Sequence, residues 1–371
     1  MTKHILITGG AGFIGAHLSA ELLRAGHQVR LLDSLLPQVH GSTERPDYLH
    51  EDAELVVEDV RDGDAVRKAL VGIDQVVHLA ARVGVGQSMY EMAEYTSVNT
   101  GGTSVLLQAL IDHPVERLVV ASSMSVYGEG LYTGPDGRPA TPVDRTREQF
   151  AAGAWEPLDA NGASLTPVPT PETKSPSLSS VYALNKFDQE RLCLLFGQAY
   201  QTPTVALRFF NVYGPYQALS NPYTGVLAIF ASRLLNGRPP LIFEDGLQMR
   251  DFVSVHDIAR ACHLALTVEE AAGHVLNVGS GRSVSVNEIA LHLGRILGKD
   301  GIVPEITGKY RVGDIRHCFA DVGLAEQVLG YRPEVDLEAG MTELAQWLEG
   351  QIADDQVEAA TSELMQRGLA I

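Results

Sequence analysis

Six short runs of mainly aliphatic and β-branched residues recur along the chain: His4 to Thr8, Gln28 to Asp33, Glu54 to Val57, Gln75 to Ala80, Arg117 to Ser122 and Thr204 to Arg208. Segments of helical period separate them: Phe13 to Ala25, Ala65 to Val71, Val98 to Ile111 and Val181 to Ala199. Several runs are nearly all apolar instead of alternating, the pattern of strands covered by helices on both faces. The order β-α-β-α therefore predicts an α/β protein with a doubly wound parallel sheet. With 371 residues the chain has length for two domains.

Two stretches break the rhythm. Residues 128–178 are dense in Pro, Gly, Thr and Asp, including Tyr132-Thr133-Gly134-Pro135-Asp136-Gly137 and Pro167-Val168-Pro169-Thr170-Pro171, and read as a long loop or lid. After about residue 211 mixed patterns replace the alternation, as in a smaller domain leaning on the first. No internal repeat is present. Ile352 to Met365 reads as an amphipathic acidic helix.

The balance of 28 Lys and Arg against 46 Asp and Glu gives a net charge of −18, a field that repels nucleic-acid backbones and argues against a nucleic-acid partner. Locally placed arginines and helix N-termini still permit a small anionic ligand. Cys193, Cys262 and Cys318 lie far apart without a CxxC pair, so neither a disulfide framework nor a metal site is suggested. The start of the chain lacks a signal-peptide pattern, and no apolar stretch reaches membrane-spanning length, so the expected location is the cytoplasm, with no membrane partner.

Directly after the first strand stands Thr8-Gly9-Gly10-Ala11-Gly12-Phe13-Ile14-Gly15, opening a helix. Glycines here permit a tight turn and bring backbone N–H groups and the helix N-terminus to a pyrophosphate. Asp33, ending the second strand, would accept hydrogen bonds from ribose hydroxyls and repel a 2′-phosphate, which favours NAD over NADP. The competing reading is a glycine-rich structural turn.

Tyr182-Ala183-Leu184-Asn185-Lys186 places a phenol and an ammonium one helical turn apart. A phenol of pKa near 10 needs help to act as a base near neutrality, and lowering it by about three units takes roughly 4 kcal/mol, within reach of a nearby ammonium and a cationic nicotinamide. Ser123, in Ser122-Ser123-Met124-Ser125-Val126-Tyr127-Gly128, stands at a strand end, where a hydroxyl can polarise a substrate oxygen. Taken singly, the Tyr/Lys spacing also suits a plain surface helix, and strand-end serines are ordinary turn formers.

Together these residues resemble the extended short-chain dehydrogenase/reductases, in particular the nucleotide-sugar epimerase and dehydratase branch. The resemblance also draws on Asp59-Val60, Leu79-Ala80-Ala81, Asn99, Arg208-Phe209-Phe210-Asn211-Val212-Tyr213-Gly214-Pro215 and Arg250-Asp251-Phe252-Val253. It implies a Rossmann-type NAD domain over residues 1–210, carrying the 128–178 insert and taking back part of 250–278, and a mainly substrate-binding α/β domain over 211–371. It implies that Gly9, Gly12, Phe13, Ile14, Gly15, Asp33, Asp59, Val60, Leu79, Ala80, Ala81, Asn99, Tyr182, Lys186 and Phe209 bind the cofactor. Ser123, Ser125, Asn211, Phe243, Arg250, Arg311 and Asp314 would hold a nucleotide-diphosphate sugar. Arg250 and Arg311 suit a diphosphate because it takes charge-assisted, bidentate partners. Surface ion pairs with Asp251 and Asp314 are the alternative. A homodimer through a four-helix bundle of Val98 to Ile111 and Val181 to Ala199 is also implied.

The catalytic set implied is Ser123, Tyr182 and Lys186, moving a proton and a hydride at C4 of the sugar through a 4-keto intermediate. Sister 4,6-dehydratases carry Asp-Glu where this chain has Met124 and Ser125, and related decarboxylases usually carry Glu at Ser125, which favours 4-epimerisation. The insert, Asn221-Pro222-Tyr223-Thr224-Gly225 and Gly313-Asp314-Ile315-Arg316-His317 most resemble bacterial dTDP-L-rhamnose 4-epimerases, although the cysteine cluster that some of their relatives carry in the insert is missing. UDP-hexose or UDP-hexuronate epimerisation, a sugar-nucleotide dehydratase or reductase, and a non-catalytic NAD-sensing regulator are the alternatives. His78, His256 and His317 show no metal-ligand pattern and read as core or surface residues.

Overall fold

The structure, a computed structural model, describes residues 1–218, 225–311, 314–349 and 357–370. Asn221 to Thr224, Gly313 and residues 352–356 of the tail lie outside these. Seven parallel strands form the central sheet: β1 (His4–Thr8), β2 (Gln28–Asp33), β3 (Glu54–Val57), β4 (Gln75–His78), β5 (Arg117–Ser123), β6 (Thr204–Phe209) and β7 (Val275–Val278). Their spatial order is β7-β6-β5-β4-β1-β2-β3, so the strand order reverses between β1 and β4. In such a sheet the crevice at the carboxyl ends by that reversal is where ligands collect.

Alternate residues of each strand feed opposite faces. Ile5, Ile7, Val29, Leu31, Val119 and Val205 pack beneath α1 (Phe13–Arg24) and, further along the chain, helix Val255–Thr267. Leu6, Val76, Leu118, Val120 and Ala206 pack on the other side with α2 (Gly63–Ala69), α3 (Gly102–Asp112) and α4 (Val181–Tyr200). Strands buried on both faces need no polar face, which is why these runs read as apolar throughout. The β4 ladder stops at His78, two residues short of the sequence expectation, because Leu79 to Ala81 leave the sheet to line a cavity.

A second layer packs around Tyr213, Phe230, Phe252, Leu293, Met341 and Leu344. It is built on α5 (Val226–Leu235), α7 (Val286–Ile296) and α8 (Leu337–Leu348), with Val255–Thr267 as α6, and α9 (Val357–Gln366) closes the chain. Among the described residues no helix is long and apolar enough to cross a membrane.

The 128–178 insert, read as a long loop or lid, is mostly irregular but carries short elements. Leu131–Thr133 pairs antiparallel with Pro139–Ala140 and Thr166–Val168, and Arg147–Ala151 forms a short helix capped by Thr146. Its order comes from long-range charge pairs instead of local periodicity, which is why composition misses it. Arg316, wholly buried, donates to Glu156, Glu244 and Asp245. Arg145 of the insert donates to Glu244 at 2.8 Å, and Glu129 accepts the backbone N–H groups of Arg316 and His317.

A second buried pair joins α4 to the sheet. Arg208 donates twice to Glu190, at 2.9 and 2.7 Å, and Ser122 donates to the same carboxylate at 2.6 Å. Glu190 is 1% exposed, so Glu190→Ala strands a buried guanidinium and is expected to cost about 3–5 kcal/mol, checked by chemical denaturation.

Candidate active site

One cavity of about 790 Å³ opens along the carboxyl ends of β1, β2, β4 and β5 and runs under the second layer. At one end lies the glycine turn. Gly9 holds φ +67°, donates its N–H to Leu32 O at 2.8 Å, and has no room for a Cβ, which would meet Ala80 N at 2.7 Å. A Cβ on Gly15 would sit 2.5 Å from Gly10 O, so glycine lets α1 start hard against the turn. Gly12 caps α1 without a side-chain acceptor, leaving its first-turn N–H groups for a ligand.

Asp33 closes this end. Its two oxygens accept the N–H groups of Ala11 and Leu35, both at 3.0 Å, fixing the carboxylate at the cavity edge. Tyr48 donates to Ala11 O at 2.9 Å, and burial pushes its phenol up to about 12, so it stays a neutral donor. Asp59, Val60, Leu79, Ala80 and Ala81 line the adjoining wall, and the Arg61 guanidinium holds the Asp59 carboxyl below its usual range. A neutral glycine turn, an uncapped helix start and a fixed carboxylate fit the pyrophosphate and ribose of NAD.

Asn99 lies behind that wall. Fully buried in a π-turn at Ser97–Gly101, it accepts the N–H of Arg82 at 2.7 Å and donates to Arg82 O at 3.0 Å, pinning the loop after β4. Phe209 is also set back, packed in the core at the end of β6, whereas Phe210 reaches the cavity.

The catalytic candidates meet at the middle of the cavity. Ser180 caps α4 through Ala183 N, and Tyr182 N donates to Ser88 Oγ at 3.0 Å, which fixes the first turn. Ser123 Oγ accepts from Ser125 N and from Ser125 Oγ at 3.0 Å, and Ser123 and Tyr182 both line the cavity. The Tyr182 ring is enclosed by protein yet faces the cavity. Burial raises its phenol above the usual value, and the Ser123 hydroxyl offsets part of that. Lys186 sits one turn behind, outside the cavity lining, with its ammonium donated to Gln189 Oε1 at 2.8 Å and its pKa pushed down to about 8 by burial.

The far end holds Asn211, Phe243, Arg250, Arg311 and Asp314, with Ser125 at the junction. Arg311 stacks 4.4 Å over Phe243, and its buried Nε has no partner among the described residues. Arg250 does not pair with Asp251. It donates to the carbonyls of Met249, Ile315 and Arg316, while Asp251 accepts from Ser280, Gly281 and Ala320. Arg145 of the insert donates to Asp314 O at 2.8 Å, so the insert holds the loop beneath this end.

Several lining residues escaped the sequence reading. Gln217 and Gln248 each carry a buried, unpartnered Oε1 among the described residues, and Thr361, Leu364 and Leu369 come from the tail. Isolated glutamines and leucines carry no spacing signal. Gln189 is different: it stands three residues after Lys186, on the same helical face, and its amide also reaches His78 and Thr103. His78 bridges Thr8 and Thr103 in the core, His256 meets Glu343, and His317 meets Glu156.

A doubly wound sheet with this turn, carboxylate and Ser/Tyr/Lys set at its carboxyl edge marks an extended short-chain dehydrogenase/reductase. The chain belongs to the NAD dependent epimerase/dehydratase family, matched over residues 5–153 and 161–279, and its cofactor is NAD. It is 38% identical to a dTDP-L-rhamnose 4-epimerase of Burkholderia thailandensis, over 93% of this chain and 95% of that one. It is 31% identical to a putative UDP-glucose 4-epimerase of Methanocaldococcus jannaschii, over 93% and 98%. The crystal structure of a UDP-glucuronic acid 4-epimerase from Bacillus cereus, in complex with UDP-glucuronic acid and NAD, superposes with a TM-score of 0.76 at 27% identity, covering 93% of this chain and 99% of that one.

Arg316 and His317 hold the Glu156 carboxyl at about 2, below its ordinary 4.5. A depressed carboxylate adds stability that is complete above pH 4.5 and is lost as pH falls toward 2. Because its side chain is 49% exposed, screening cuts the gain, and Glu156→Gln is expected to cost about 1 kcal/mol at pH 7. Hydrogen exchange across the insert should speed up in the variant at pH 7, and the two proteins should converge under acid.

Proposed function

We propose that the protein is a nucleotide-sugar 4-epimerase acting through a 4-keto intermediate on a dTDP-6-deoxyhexose such as dTDP-L-rhamnose. The observation that carries this reading is that Ser123 and Tyr182 line the same cavity as the glycine turn. Tyr182 takes the C4 hydroxyl proton, and Ser123 donates to the carbonyl oxygen that forms. The Lys186 ammonium, released from Gln189, steadies the phenolate. NAD supplies a hydride acceptor that becomes the donor on return. Reduction from the opposite face of the rotated ketone then gives the epimer, with Tyr182 handing its proton back.

Met124 and Ser125 offer no carboxylate next to Ser123, so water loss from the sugar has no acid/base pair there. That supports epimerisation over dehydration. Arg311 and Arg250 are assigned to the diphosphate, with Asn211, Ser125, Phe243 and Asp314 as further substrate contacts. The Burkholderia relative supports the dTDP-sugar, and the UDP-sugar epimerases define the competing substrates.

Purified protein incubated with dTDP-L-rhamnose, UDP-galactose and UDP-glucuronate, followed by NMR for inversion at C4, should turn over the dTDP-sugar with the highest kcat/KM. A higher value for either UDP-sugar reassigns the substrate. Tyr182→Phe should lower kcat by about 10²–10⁴-fold with bound NAD retained, and near wild-type turnover in that variant would refute the mechanism. We further propose a homodimer through α3 and α4, supported by Leu184 and Leu195, which stand 45% and 53% exposed on α4. Light scattering at micromolar concentration should then give twice the chain mass of 40.0 kDa.

A further inference from the structure

The end of the chain returns to the cavity after α8. Leu364, 4% exposed, lies over Gly86, where a Cβ would stand only 3.3 Å from Leu364 Cδ2. Gly86 belongs to the one-turn helix Val85–Ser88, and Ser88 Oγ accepts the backbone N–H of Tyr182. Leu364 thus packs on the turn that holds the backbone of Tyr182. At the other end of the segment Ala370 pairs as an antiparallel bridge with Arg311, a residue of the cavity lining whose buried Nε has no partner among the described residues. The segment runs from Gly86 to Arg311, and Thr361, Leu364 and Leu369 line the cavity along it.

Side-chain contacts with Tyr90 add to that bridge. The Arg367 guanidinium lies 4.2 Å from the centroid of the Tyr90 ring and pairs with Glu363 at 2.9 Å. Glu363 in turn accepts from the Tyr90 hydroxyl at 3.5 Å. Solvent screens surface contacts of this kind. Leu364 and Ala370, 4% and 3% exposed, add apolar packing to these contacts.

We propose that Thr361–Ala370 is a specificity-determining wall of the substrate site: Leu364 and Leu369 present hydrocarbon to the sugar and select a 6-deoxyhexose over a hexuronate. The proposal rests on the reading of the site as that of a sugar-nucleotide epimerase. A C6 methyl packs on a leucine without losing hydration, whereas a C6 carboxylate brought there leaves water with no donor to replace it. Selection then comes from a penalty on the wrong sugar as much as from contact with the right one.

The test uses the full-length protein with Leu364→Ser and Leu369→Ser, singly and together. For dTDP-L-rhamnose, KM should rise by about tenfold in the double variant with kcat within about twofold and bound NAD unchanged. KM for UDP-glucuronate should stay level or fall. Unchanged KM for both sugars, or equal rises for both, would overturn the proposal. An independent readout is hydrogen exchange in 361–370 of the wild-type protein with and without dTDP. Slower exchange with dTDP supports the wall, and identical exchange refutes it. If the wild type turns over none of the sugars, the epimerase reading fails by itself, and the exchange measurement still decides whether the segment closes on a nucleotide diphosphate.

Discussion

The pairing of Glu190 with Arg208 is the interaction on which the site's geometry depends. Glu190 stands two turns after Tyr182 on the same helix, and its carboxylate takes Arg208 from β6 and the Ser122 hydroxyl from β5. Ser122 is the neighbour of Ser123. One buried anion therefore sets the distance between the strand that offers the serine and the helix that offers the tyrosine. Arg208 also lies 4.7 Å from the Tyr127 ring centroid, and Tyr127 donates to Asn277 on β7, so the same cation braces the turn after Ser123 from below. Such a pair brings little net stability against an apolar replacement, since both charges lose their hydration. Its value here is register, because a shift of α4 by one residue would break three hydrogen bonds at once.

The insert applies the same physics to the other end of the cavity. Arg316 is wholly buried among Glu156, Glu244 and Asp245, and Arg145 reaches from the insert to Glu244 and the carbonyl of Asp314. The loop from Arg311 to Cys318 carries an arginine facing the cavity on one side and this ionic lock on the other. Apolar burial alone does not order a stretch that places Arg311, Asp314 and Ile315 in the cavity lining. Charge partners behind it supply that order.

The parts of this architecture legible in the sequence are those set by local pattern. Apolar runs covered on two faces marked β1 to β6, and the turn after β1 was readable because only glycine tolerates φ +67° at Gly9 with Ala80 N so near. β7, Val275–Val278, went unrecognised because it is short and flanked by mixed sequence. The insert reads as a long loop or lid, and what the sequence does not show is its anchoring to Arg316 and His317, more than a hundred residues away, since no window of sequence contains both partners. Asn99 was singled out by resemblance as a cofactor residue. Its side chain is spent on Arg82, and what it contributes is the shape of the loop that lines the cavity. The leucines of the tail had no signal at all, since an apolar residue facing a ligand and one facing a core look alike.

Lys186 shows where residue spacing and energetics part company. The i, i+4 relation to Tyr182 suggests an ammonium that lowers the phenol's pKa, yet burial raises the phenol and brings the amine down to about 8. Both shifts have one cause, the loss of water around a group that must carry charge to work. Gln189 keeps the ammonium occupied, and Cys193 and Glu190 favour its charged form from behind. The protein alone thus holds the proton on the phenol and the lysine turned away. Burial opposes charge on both members of the pair, so the Tyr182–Lys186 spacing does not by itself make a phenolate.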